Sequence, residues 1–180
     1  MLSEVKYRDI VRDIAMDQFG FVTTQDAVEA GVPAVELPKL AARGGLDNVA
    51  YGLYRIADVP PTKYDQYAEA LFRVGEGAFL HGESVLAFHE LGNVNPRRIK
   101  VATSRRARPQ LPAFVELTRW RGEISLRMHE GLASQSVAEA ILECRGCVET
   151  AGLLAVAQQA RNEGLLTTAE WQQVREEIGE

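Results

Sequence analysis

Between Ser3 and Gln18, the apolar residues Tyr7, Ile10, Val11, Ile14 and Ala15 recur at helical spacing, and Lys6, Arg8, Asp9, Arg12, Asp13 and Asp17 fall between them. This pattern predicts an amphipathic helix with one buried face. Further on, Thr23 or Thr24 is placed to cap a short helix over Gln25 to Ala30. Gly31 supplies a left-handed turn, and Pro33 opens a second helix running to about Arg43. Pro38 would then sit inside that helix at a cost of about 3 kcal/mol, so the helix is expected to be short or offset. After Gly44-Gly45, the runs LDNVA and LYRIA flank Tyr51-Gly52 and read as two strands about a turn, with Val49, Leu53 and Ile56 in the core. Three helices and a hairpin can enclose a small core, and Asp58-Val59-Pro60-Pro61 reads as a linker after it.

The remaining chain alternates differently. Tyr64 to Val74 and Glu83 to Glu90 read as helices, whereas IKVAT, FVELTRW and ISLRMH read as short strands separated by Pro, Gly and basic turns. Three more helices are expected. Ser136 with Glu139 and Thr167 with Glu170 match capping boxes, and Val148 to Arg161 is rich in alanine and leucine. The fold class expected is α+β: a winged helix-turn-helix over residues 1 to 58, then a mixed α/β domain with a small sheet over residues 59 to 180.

At 180 residues and 46% hydrophobic content, the chain has no apolar run long enough to cross a bilayer and no charged-apolar-small leader. A soluble cytoplasmic protein with no membrane partner is the expectation. The net charge of −5 argues against DNA, but its distribution is uneven. Residues 1 to 60 hold 6 basic and 9 acidic groups, residues 61 to 128 hold 11 and 7, and residues 129 to 180 hold 3 and 9. Within NPRRIKVATSRRARP, Arg97, Arg98, Lys100, Arg105, Arg106 and Arg108 occur without one acid, a density suited to phosphate contacts; a solvated charged face is the alternative.

The search for catalytic chemistry is mostly negative, and no enzyme is expected. There is no Gly-rich phosphate loop, GxSxG or HExxH. His81-Gly82-Glu83-Ser84 is suggestive of a base and a nucleophile, but it is also explained as the opening of a helix. His89 reads as a helix-end partner or packed side chain. Cys144 and Cys147 have the spacing of half a zinc site or a redox pair; small apolar cysteines on a helix are the simpler reading, and no metal or cofactor is expected.

The succession GFVTTQDAVEAGV, LAARGGL, YGLYRI, FLHGESVLAFHELGN, PRRIKVATSRRARP and ARNEGLLTTAEW resembles the AbiEi-type antitoxins, transcriptional regulators of bacterial type IV toxin-antitoxin systems. The resemblance implies a winged helix-turn-helix joined to an antitoxin domain and repression of its own operon through double-stranded operator DNA. It also implies functional pairing with a nucleotidyltransferase-like toxin, without a stable complex. On helix-turn-helix geometry, Thr23, Thr24 and Gln25 would contact phosphates, and Val35, Glu36, Lys39 and Arg43 the groove, with burial the alternative for Val35. Asn48, Tyr51 and Arg55 are the wing candidates. With only Lys39 and Arg43 basic and Glu36 beside them, the second helix should attract DNA modestly. The other readings are a winged-helix module that binds a protein instead of DNA, and a small hydrolase or transferase using His81 or Ser84.

Overall fold

A computed structural model of the chain describes residues 2–106 and 110–179, with side chains from residue 6 on. Among these residues the chain is α+β, with eight helices and two sheets, and it divides into two compact units, Met1–Arg73 and Val74–Glu180.

In the first unit the order is α1 (Leu2–Asp17), β1 (Phe21–Thr23), α2 (Thr24–Glu29), α3 (Glu36–Ala42), β2 (Asp47–Ala50), β3 (Leu53–Arg55) and α4 (Asp65–Val74). The apolar stripe of α1 does what its spacing predicts: Val11 and Ala15 are buried, and Tyr7, Ile10 and Ile14 pack beside them against Val22, Ala27, Val32, Leu37, Leu40 and Tyr54. Thr23 caps α2 with a full box, its Oγ1 accepting the Asp26 N–H at 3.0 Å while the Asp26 carboxylate accepts the Thr23 N–H at 3.1 Å. Gly31 ends α2 at φ +85°, a left-handed turn that carries Val32 back into the core, where its N–H reaches the Ala27 carbonyl at 2.8 Å. Pro33 does not open α3. The helix starts at Glu36, so Pro38 falls in its first turn, where a missing N–H breaks no intrahelical bond and the interior-proline penalty does not arise. Leu37 and Leu40 anchor α3, each contributing about 1.5–3 kcal/mol through burial.

β2 and β3 form the expected hairpin, and β1 adds to its far side, giving the antiparallel order β1-β3-β2. The unit extends past the 58–61 segment read as a linker because α4 is bound to the hairpin. Arg55 pairs with Asp65 at 2.7 Å, Arg73 donates to the Val49 carbonyl at 3.0 Å, and Phe72 packs on Phe21 with ring centroids 5.8 Å apart. Burial pushes the Asp65 carboxyl up, but hydrogen bonds from Thr62 and the Arg55 guanidinium hold it below its ordinary value.

The second unit contains β4 (Phe79–Leu80), α5 (Glu83–Phe88), β5 (Ile99–Thr103), β6 (Val115–Arg119), β7 (Leu126–His129), β8 (Leu132–Gln135), α6 (Val137–Glu143), α7 (Thr150–Asn162) and α8 (Thr168–Gly179). Its sheet runs β6-β5-β4-β8-β7, with β4 antiparallel to β5 and parallel to β8. Of the two expected capping boxes, Thr167 with Glu170 forms in full before α8, whereas at α6 Ser136 Oγ accepts the Glu139 N–H at 3.2 Å and its hydroxyl meets the Glu139 carboxylate, but its own N–H goes to the Ser125 carbonyl. Arg161 and Arg175 lie over the Trp171 ring, at 5.3 and 5.6 Å from its centroid, helping to join α7 and α8. His89 ends α5 and packs on His129 of β7 with ring centroids 4.6 Å apart, and Phe88 meets both rings edge-on.

Thr23→Ala should destabilise the first unit by about 1 kcal/mol, because it leaves the α2 terminus uncapped; urea unfolding monitored by the fluorescence of its tyrosines checks this. A second expectation concerns pH. Burial first, and the neighbouring His129 charge second, pull His89 down from 6.5 to about 4 against the opposing charge of Glu163. Between those values the unfolded chain binds more protons than the native one, so stability held above pH 6.5 drains away as the pH falls toward 4. Urea midpoints measured across this range should fall less steeply for His89→Phe than for the wild type, and equal slopes would contradict the assignment.

Candidate functional site

In the first unit, burying Leu37 and Leu40 turns the other side of α3 and its approach outward. Val35 is 63% exposed, Lys39 and Arg43 are exposed, and Glu36 is half-buried and paired with Lys39 at 2.8 Å. Val35 therefore belongs to the surface and not to the core. The hairpin lifts Tyr51 wholly into solvent at 106% exposure, with exposed Asn48 opposite Tyr54 on β2. Other expected contact residues have local work. Thr23 is occupied in the α2 cap, the Thr24 hydroxyl lies 3.4 Å from the Gly52 carbonyl, and Gln25 donates to Glu29 at 2.9 Å. Arg55 is spent on Asp65 and the face of Phe21, which ties the sheet to α4 instead of presenting a charge at the hairpin tip.

The basic segment of the second unit is likewise split. Arg97 and Arg98 are exposed just before β5, and Arg106 is exposed beyond its end. Arg105 forms a two-pronged pair with Glu76, one prong at 2.8 Å; both partners are exposed, so the pair is worth little and can be exchanged. Lys100 pairs with Glu83 at 3.1 Å. Burial works against its charge, but the Glu83 hydrogen bond and the charges of Glu83 and Glu116 raise its pKa above the ordinary value. Arg108 lies outside the described residues.

A polar junction, not foreseen as a group, stands at the end of β4. His81 is only 4% exposed, with Nδ1 2.7 Å from Glu143 Oε1 and Nε2 3.1 Å from Thr118 Oγ1. Gly82 follows at φ +55°, donates its N–H to Gln135 at 3.0 Å, and a Cβ there would meet the Glu143 carboxylate at 3.0 Å. Trp120 packs edge-on to His81 at 5.8 Å. Its Nε1 is buried without a partner among the described residues. Burial pushes Glu143 up, yet His81, Gln135 and Lys100 hold its carboxyl below the ordinary value, so it is ionised near neutral pH. Ser84 does not join this group: it is fully buried and accepts the Lys100 N–H at 2.7 Å. Thr118, Trp120, Gln135 and Glu143 come from distant points in the chain, so no local motif marks them in the sequence.

Burial raises the Cys144 thiol to about 12, so it keeps its proton near neutral pH, while Cys147 is exposed. Among the described residues no group of three or more His, Cys, Asp or Glu side chains is placed to hold a metal ion, and no helix is long and apolar enough to cross a membrane. A hollow of about 520 Å³ opens along α7, lined by Val94, Pro96, Val148, Gly152, Val156 and Gln159.

No family model matches the chain, and no curated protein does. Among solved structures, it is similar to the crystal structure of the Rv2827c protein from Mycobacterium tuberculosis, at 17% sequence identity and a TM-score of 0.50, over 93% of this chain and 70% of that one. At that identity the likeness concerns the fold alone: an α+β arrangement spanning nearly the whole chain.

Proposed function

We propose that the chain is a DNA-binding autorepressor and antitoxin of the AbiEi type, with its first unit acting as a winged helix-turn-helix. The observation that carries this reading is the outward side of α3 and its approach. A capped α2, the Gly31 turn and a short α3 anchored by Leu37 and Leu40 leave Val35, Lys39 and Arg43 exposed, and a hairpin with Tyr51 at its tip follows. That order suits a recognition helix in the major groove and a wing against the backbone or minor groove. Phosphate attraction is assigned chiefly to Arg97, Arg98 and Arg106, because α3 carries few cations. Counteraction of a nucleotidyltransferase-like toxin is assigned to the second unit, whose last fifty or so residues are acidic and would be repelled by phosphates.

A second reading, a winged helix that binds a protein partner, is favoured by one observation: Lys39 is already paired with Glu36, beside the exposed apolar Val35. Titration of DNA from upstream of the chain's own coding sequence across salt concentrations separates the two. The DNA reading expects binding that weakens steeply with salt. Arg97→Ala and Arg98→Ala should weaken binding to every sequence and flatten the log–log salt slope by about 0.9 for each phosphate no longer neutralised. Lys39→Ala and Arg43→Ala should change discrimination among sites, by about 1–3 kcal/mol for each base edge that the wild-type side chain reads. Absence of binding at low salt would remove the DNA reading and leave the protein-partner one.

A further inference from the structure

The sequence places Ser84 beside His81, but the fold gives the imidazole a different hydroxyl. Glu143 Oε1 lies 2.7 Å from Nδ1, and Thr118 Oγ1 lies 3.1 Å from Nε2. An ionised carboxylate can only accept, so Nδ1 carries a proton, and in the neutral ring Nε2 then offers its lone pair to the Thr118 O–H. Carboxylate, imidazole and hydroxyl in this order turn a weak alcohol into a nucleophile: the carboxylate fixes tautomer and orientation, and the ring takes the hydroxyl proton.

Three further features bear on this arrangement. Thr118 is half-buried on the edge strand β6. The Trp120 indole, two residues further along the chain, packs edge-on against His81 with ring centroids 5.8 Å apart. Finally, His81 is held rigidly, since Gly82 runs against the Glu143 carboxylate and is tied to Gln135.

We propose that Thr118, His81 and Glu143 form an acyl-transfer site for small activated esters. Thr118 Oγ1 bonds to the carbonyl carbon as its proton passes to His81 Nε2. The tetrahedral adduct then collapses, the bond to the leaving alcohol breaks, and that alcohol takes the proton from His81. The product is an ester on Thr118, which water cleaves by the same steps in reverse roles, releasing the acid and restoring the hydroxyl. This activity is independent of DNA binding, so either can fail without the other.

The test uses the full chain and p-nitrophenyl acetate, following p-nitrophenolate release, intact mass and peptide mapping. The expected result is a burst of about one acetyl group per chain, mapped to Thr118 and removed by hydroxylamine, as an ester is and a lysine amide is not. Glu143→Gln should slow acetylation by about 100-fold, and Thr118→Val should abolish the burst. Acetyl groups confined to lysines, or a burst of the same size in Thr118→Val, would overturn the proposal. If Thr118→Val fails to fold, mapping of the wild-type adduct decides by itself.

Discussion

A buried imidazole must have partners for both ring nitrogens, and in the second unit the satisfaction of His81 fixes what surrounds it. Strand β4 is two residues long and has little hold of its own. At its end, His81 reaches Thr118 on β6 in one direction and Glu143 at the end of α6 in the other, so the edge of the sheet and a covering helix are pinned to one side chain. Gly82 then turns the chain into α5 in a conformation and a space that a Cβ would not share with the Glu143 carboxylate. Removing either partner of His81 would leave a buried polar atom unmet, which costs more than the hydrogen bond itself contributes.

The first unit obeys a different constraint. Its α2 and α3 are short, so capping and burial position them more than intrinsic propensity does. The Thr23–Asp26 box starts α2, Gly31 ends it, and Leu37 and Leu40 set the rotation of α3. That rotation decides which residues solvent meets: Val35, Lys39 and Arg43. On the proposed reading this surface discriminates among sites more than it attracts, because a phosphate lattice is held by cations and this surface has few.

Much of this was legible in the sequence wherever local rules decide. The α1 stripe, the caps at Thr23, Ser136 and Thr167, the Tyr51-Gly52 hairpin and strands β5 to β7 follow from periodicity and capping chemistry. The start of α3 was displaced from Pro33 because the proline carbonyl accepts the Glu36 N–H in a turn before the helix begins. Strands β1, β4 and β8 were not legible: no long alternating run marks them, and pairing across the sheet defines them. Arg55 read as a contact residue because sequence shows its charge and not Asp65 beside it. The His81, Thr118 and Glu143 group was invisible for the same reason, since its members meet only after the sheet and α6 have formed.

The central claim about function is that α3 and the hairpin tip of the first unit meet DNA. Its most direct measurement is an amide NMR titration of the isotopically labelled full chain with a duplex from upstream of its own coding sequence. The account predicts that the largest shifts fall at Val35, Lys39 and Arg43 and at Asn48 to Gly52, with smaller ones at Arg97 and Arg98. Shifts confined to the second unit, or none at low salt, would contradict it.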